Sequence, residues 1–80
     1  MRADMTKEEL HELRQAWASA DDYYRAARDR YMQLRTPETA EGVTARHNAW
    51  DDVEDSRLEM ESARIRYERA ALDWARTHRS

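Results

Sequence analysis

Apolar residues recur along this chain with a seven-residue period, in two series on either side of the single Pro and the single Gly. The first series comprises Leu10, Leu13, Trp17, Ala20, Tyr24, Ala27, Tyr31 and Leu34. The second comprises Ala49, Val53, Ser56, Met60, Ala63, Tyr67, Ala70 and Trp74. Both advance by alternating steps of three and four residues, which is typical of helices that pack along one seam. We call these two series the seam.

Large and small seam residues match when the chain folds back on itself near Ala40. This register places Leu13 beside Tyr67, Trp17 beside Ala63, Ala20 beside Met60, Tyr24 beside Ser56, Ala27 beside Val53, and Tyr31 beside Ala49. Acidic residues also cluster early in each half and basic residues late, which favours an antiparallel pair. The sequence therefore predicts an all-α fold: one coiled-coil-like antiparallel two-helix hairpin over residues 1–80, able to pair with a copy into a four-helix bundle.

Capping and breaking residues predict where the helices begin and end. Thr6 and Glu9 have the spacing of a capping box, which favours a first helix over about residues 6–35. Pro37 disfavours helical geometry at the preceding residue and ends that helix. We expect a connecting turn over about residues 36–43, with at most one short helical turn at Pro37 to Glu41 before the helix is interrupted near Gly42. A second helix should then span about residues 44–78.

Three large aliphatic residues lie outside the seam with the same period: Leu58, Ile65 and Leu72. At about 100° per residue, they are about 100 to 140° around the second helix from Val53. We call them the outer stripe. A lone hairpin cannot cover both the seam and the outer stripe, so we expect the stripe to contact a second copy or another protein. The alternatives are scattered exposed aliphatics or a seam rotated to include them.

Residues beside the seam have two interpretations. Trp50, Tyr23 and Met32 extend the candidate interface, since these residue types are enriched in interface cores, or else they widen the hairpin's own core. Arg57 and Arg64 border the seam too, where we expect Asp21 to reach across and pair with one or both.

Candidate chemistry is sparse. Glu8 and His11 form half of a bundle di-iron motif, but in this register they face away from the seam, and the chain has no second copy of the motif. His47 and Asp51, one turn apart, are a weak candidate for a surface cation. With no Cys and a single Gly, neither a thiol nucleophile nor a glycine-rich phosphate loop is available. We expect no enzymatic activity, no metal and no cofactor.

Composition limits the partners and the location. The 80 residues carry a net charge of −3, although 39 % are charged, and a phosphate-binding protein is usually basic. Arginines near the C terminus still make nucleic-acid regulation the alternative function, through Arg66, Arg69, Arg76 and Arg79. No apolar run approaches the ~20 residues of a membrane span, and the first residues lack the apolar core of a signal peptide. We expect a cytoplasmic protein with no membrane partner.

The leading hypothesis is therefore a non-enzymatic helical protein that binds another protein or complex through a helix face. It would act as an adaptor, a subunit or an inhibitor, and a homodimer is the expected assembly. By analogy of size and composition alone, phage-encoded inhibitors of host defence, such as anti-CRISPR proteins, are a special case.

Overall fold

Two long helices lie side by side in the computed structural model, which describes residues 5–34 and 37–78. Helix α1 spans Lys7–Gln33 and helix α2 spans Ala40–Thr77. Residues early in α1 meet residues late in α2: the rings of Trp17 and Tyr67 stack with centroids 5.7 Å apart. The predicted all-α antiparallel hairpin is confirmed.

Threonine caps start both helices. The Thr6 hydroxyl accepts a hydrogen bond from the Glu9 backbone N–H at 3.1 Å, as predicted. The Thr39 hydroxyl accepts one from the Gly42 N–H at 3.0 Å and starts α2 at Ala40. The prediction of an interruption near Gly42 was therefore wrong, and α2 begins four residues earlier than expected.

Gly42 serves packing at this point and does not break the helix. A Cβ atom at Gly42 would lie 3.2 Å from Pro37 Cβ and 3.3 Å from Thr39 Oγ1. Its absence lets the connection cross closely over the first turn of α2. At the other end of the connection, Leu34 is extended and its N–H donates to the Tyr31 carbonyl, ending α1 at Gln33. The predicted last residue of α1, position 35, and the predicted first turn residue, Thr36, lie outside the described residues.

The seam is the core of the hairpin. Among residues 5–34 and 37–78, the buried ones are Ala27, Val53, Ser56 and Ala70, all of them seam members. Every other seam residue is half-buried except Leu34, where the chain leaves the helix. The seam prediction therefore identified the buried side of both helices.

A polar residue lies in the middle of this core. Ser56 is 2 % exposed, and its hydroxyl donates to the Asp52 carbonyl at 2.6 Å and lies 3.0 Å from the Val53 carbonyl. The hydroxyl is therefore satisfied within its own helix, and it leaves the facing helix room for a large side chain. The predicted neighbour across the seam is Tyr24.

The hairpin exposes a large surface for its mass. Its accessible area is 6760 Å², whereas a compact protein of 9.6 kDa exposes about 5,100 Å². The radius of gyration is 18.2 Å, against about 12 Å for a compact domain of this length. No large side chain of the described residues is fully buried. The hairpin is 62 Å long, and the narrow core along the seam is what stabilises it.

Ion pairs differ from the prediction. Asp21 does not bridge to α2; its carboxylate pairs with Arg25 Nε at 3.0 Å within α1. Arg57 instead pairs with Glu54 at 3.2 Å and Glu61 at 3.1 Å within α2. Each charge thus has a partner one turn away, which requires less side-chain ordering than a bridge between helices.

Candidate protein-binding surface

The outer stripe is solvent-exposed along its whole length. Leu58 is 54 % exposed, Ile65 42 % and Leu72 58 %, whereas Val53 in the seam is 4 % exposed. At 1.5 Å per residue the stripe is about 21 Å long. The interpretation that the seam is rotated and buries these residues is therefore excluded.

The stripe faces directly away from α1. Leu58 follows Val53 by five residues and Ser56 by two, which is about 140° and 200° around the helix. Since Val53 and Ser56 are both buried against α1, Leu58 points opposite to them. Ile65 and Leu72 repeat this position at intervals of seven. The stripe is therefore a second apolar side of α2, separate from the hairpin core.

Charge is divided between the two ends of the stripe. Glu54 and Asp55 lie one turn before Leu58, and Arg69 and Arg76 lie one turn on either side of Leu72. Glu68 and Asp73 also adjoin Leu72, so the surface is acidic near Leu58 and carries both charges near Leu72, with Arg76 at its C-terminal end. A partner that matches it needs a cation opposite Asp55 and an anion opposite Arg76.

Tyr23 lies on one flank of the hairpin, on α1. It is 57 % exposed and lines a shallow groove that also includes Glu59. Glu59 borders Leu58 in the neighbouring groove as well. Tyr23 and Leu58 therefore line neighbouring grooves that share Glu59.

Trp50 and Met32 are also exposed, but the structure does not group Trp50 with Tyr23. Trp50 follows the seam residue Ala49, whereas Tyr23 precedes the seam residue Tyr24. These positions lie on opposite flanks of an antiparallel pair. Met32 follows Tyr31 on α1 and is 72 % exposed. The six predicted interface residues thus share exposure but not one continuous patch.

A cluster of side chains at the turn end was not predicted from the sequence. Trp50 lies there in an open groove of about 350 Å³, which is lined by Tyr31, Pro37, Val43, Arg46, His47 and Trp50. Arg46 is half-buried three residues before Ala49, and Gly42 is half-buried four residues earlier. Extending the heptad series back from Ala49 would have found both, since they continue its steps of three and four.

The candidate nucleic-acid arginines are spread over the surface. Arg66, Arg69 and Arg76 are all exposed, and Arg66 lines the groove beside Leu58; Arg79 lies outside the described residues. Glu68 and Asp73 interrupt the series in sequence. The described arginines therefore do not form an uninterrupted basic track.

Metal-binding candidates have few ligands around them. Glu8 and His11 are exposed, and His11 Nε2 lies 3.4 Å from Gln15 Nε2. His47 Nε2 lies 3.5 Å from an Asp51 carboxylate oxygen. Across the described part of the chain, no group of three or more His, Asp or Glu side chains could hold a metal ion. In the same residues, no helix has the length and apolar character to span a membrane.

Among residues 5–34 and 37–78, Arg57 is the titratable residue whose pKa is clearly shifted. Its hydrogen bond to Glu54, followed by the charges of Glu54 and Glu61, raises the pKa of its guanidinium above the ordinary value. A raised pKa of a cation contributes stability below the unfolded-state pKa, and that contribution is lost only as pH rises through the folded-state value. Both lie far above neutrality, so Arg57 adds no pH dependence near pH 7.

Comparisons with known proteins found no matching protein family, no matching curated protein and no matching solved structure.

Proposed function

We propose that this protein is a non-enzymatic, protein-binding helical hairpin that uses the outer stripe of α2 as its contact surface. The observation that supports this most strongly is the exposure of Leu58, Ile65 and Leu72 in line, each between 42 and 58 %. Complete burial of such a side chain from full exposure is worth about 1.5 to 3 kcal/mol, and about half of each side chain is still exposed and could be buried in a complex. A role as adaptor, subunit or inhibitor is consistent with this surface.

The shape of the hairpin supports the same proposal. Its accessible surface of 6760 Å² is about a third more than that of a compact protein of this mass. A standard protein–protein interface buries about 800 Å² on each partner, and the hairpin has more than enough accessible surface to form such an interface. Its thin core also gains stability from any complex, because binding to the folded state shifts the folding equilibrium.

A second copy of the chain is the partner that fits best. A two-fold axis at Ile65 places Leu58 of one copy against Leu72 of the other. The same rotation brings Asp55, at one end of each stripe, beside Arg76, at the opposite end of the other stripe. Two such hairpins make a four-helix bundle with both α2 helices inside.

A charge exchange tests this antiparallel arrangement. Asp55→Arg or Arg76→Asp alone places like charges together and should weaken self-association about tenfold. The double variant restores opposite charges and should return to within about twofold of the original. Sedimentation equilibrium across a concentration series measures all four proteins. A double variant no better than the single ones would contradict the arrangement.

The stripe itself is tested with Leu58→Glu/Ile65→Glu. The matched control, Gln15→Glu/Ala18→Glu, adds the same two negative charges at exposed positions of α1. We expect the stripe variant to stay helical by circular dichroism but to lose association with copies and with proteins captured from the source cells. The control should keep both. A stripe variant that associates as the original does would exclude this surface.

Nucleic-acid regulation is the competing function, and salt dependence separates it. Binding through phosphate contacts weakens steeply as salt rises, with a slope set by the number of phosphates neutralised. Fluorescence anisotropy with duplex and single-stranded DNA should give no binding, or a slope near zero, if the stripe hypothesis is correct. A steep slope that Arg69→Gln/Arg76→Gln reduces would favour the regulator instead.

A further inference from the structure

We propose that the turn end of the hairpin is a second binding site, for a segment of a partner protein in which a carboxylate adjoins an aromatic or branched apolar side chain. This site is independent of the outer stripe. It is built by Tyr31 of α1, Pro37 of the connection, and Val43, Arg46, His47 and Trp50 of α2.

Arg46 supplies the charge. It is half-buried at a position that continues the seam, with its guanidinium carbon 5.3 Å from the centre of the Tyr31 ring. Its Nη2 donates to the Tyr31 hydroxyl across 3.5 Å, a long hydrogen bond. No ion pair formed among residues 5–34 and 37–78 includes Arg46. A partly desolvated cation without a carboxylate is a favourable place for an anionic group to bind.

Arg57 shows what a half-buried arginine of this hairpin does when acids are near. It holds two carboxylates, those of Glu54 and Glu61, in its own helix. Glu41 and Asp51, each five residues from Arg46, are the acids nearest to it in sequence. Neither lines the turn-end groove, and the Asp51 carboxylate lies 3.5 Å from His47 Nε2. Because a guanidinium presents paired N–H groups that match a carboxylate, Arg46 is suited to bind a carboxylate that a partner supplies.

Apolar surface adjoins this cation. Val43 is 55 % exposed and Trp50 44 %, and the Trp50 ring is tilted against Tyr31 with centroids 5.2 Å apart. The groove of about 350 Å³ is at the lower end of the range of ligand pockets and suits one large side chain. Its openness to solvent favours a protein segment over a small free ligand, because the rest of a segment can contact the rim.

The recognition chemistry can be measured with N-acetylphenylalanine, which joins a carboxylate to a phenyl ring. The comparison ligand is N-acetylphenylalaninamide, which has the same ring and no charge. We expect the acid to shift the amide resonances of Val43 and Arg46 and the indole resonance of Trp50 in nitrogen-edited NMR spectra. A dissociation constant on the order of 1 mM is expected for the acid, about fivefold tighter than for the amide.

Arg46→Met is the decisive variant, since it removes the charge and keeps an apolar stem in the seam. Its affinity for the acid should fall to that for the amide. Arg28→Met is the matched control, because Arg28 also lies over a tyrosine ring, that of Tyr24, at 5.8 Å, but outside the groove. The control should bind the acid as the original does.

Three results would overturn the proposal: equal affinities for acid and amide, an unchanged acid affinity in Arg46→Met, or no shift at Trp50 at about 20 mM acid. If the circular dichroism spectrum shows that Arg46→Met is unfolded, Arg46→Lys is used as the test variant instead. Lysine keeps the charge without the paired N–H groups, so the preference for the acid should persist but shrink. An undiminished preference in Arg46→Lys would refute pairing with the guanidinium. These results leave the outer stripe untouched, so either site can fail alone.

Discussion

The two helices share one seam and differ on the side that faces away from it. On α1 the positions opposite the seam are Gln15, Asp22 and Asp29, all polar and exposed. On α2 the equivalent positions are Leu58, Ile65 and Leu72. The outer side of α1 is polar, whereas the outer side of α2 exposes apolar area to water. The comparison shows that closing the hairpin does not require apolar residues on the outside of α2, so these three residues need another explanation.

The largest expected effect separates the seam from the outer stripe. Val53→Asp places an unpaired carboxylate in the core and should cost about 3 kcal/mol or more. A small scaffold of this size has a total stability of about 3 to 5 kcal/mol, so the variant should be largely unfolded at 25 °C. Ile65→Asp puts the same group on the outer stripe and should cost less than about 1 kcal/mol. Urea denaturation at low protein concentration compares them, and similar losses would refute the division into two sides.

Aromatic residues give the next largest contrast. Trp17 packs in the seam against Tyr67, and Trp17→Ala should lower the free energy of unfolding by about 2 to 3 kcal/mol. Trp50 lies on a flank and is 44 % exposed, so Trp50→Ala should cost about 1 kcal/mol. The same denaturation experiment applies. If the Trp50 variant lost as much stability, the turn-end aromatics would belong to the core and not to an exposed groove.

The cap of α2 should contribute about 1 kcal/mol. Thr39→Ala removes the hydroxyl that accepts from Gly42 N–H, and loss of such a cap costs about 1 kcal/mol. Thr44→Ala, five residues further along, is the control and should change stability by less than about 0.5 kcal/mol. Thermal unfolding by circular dichroism measures both. A greater loss at Thr44 would place the start of α2 where the sequence pattern first suggested.

The smallest effect is expected at Ser56. Its hydroxyl bonds to carbonyls of its own helix, so Ser56→Ala leaves no buried donor unpaired and improves helix propensity. We expect a change between zero and about 0.5 kcal/mol of stabilisation. Differential scanning calorimetry resolves such a change, and a loss above about 1 kcal/mol would mean that the hydroxyl has a partner on α1.

Sequence reasoning predicted the seam well because its signal is redundant. Sixteen positions repeat one period, and a single atypical member such as Ser56 does not hide it. The start of α2 was misjudged because Gly42 was treated as a breaker, although Thr39 caps a helix that runs through it. A Cβ atom at this position would lie 3.2 Å from Pro37 Cβ, so a glycine suits the first turn here.

Side-chain partners were harder to predict than helix faces. The expected bridge from Asp21 failed because Arg25, one turn away, competes for the same carboxylate. Periodicity predicts which side of the helix a side chain occupies, but it does not predict which of several nearby charged residues will form an ion pair with it. Arg46 was missed for a related reason. A charged residue at a seam position suggests that the apolar series has ended, whereas in the structure the Arg46 guanidinium lies over the Tyr31 ring.

Photo-crosslinking compares the two outer sides directly and tests the central claim, that the outer side of α2 is a contact surface. A benzophenone amino acid is placed at position 65, on the stripe of α2, or at position 22, on the outer side of α1. The account predicts covalent adducts with another polypeptide, a second copy or a different protein identified by mass, from position 65 and none from position 22. Equal adduct yields from both positions, or none from position 65, would contradict it.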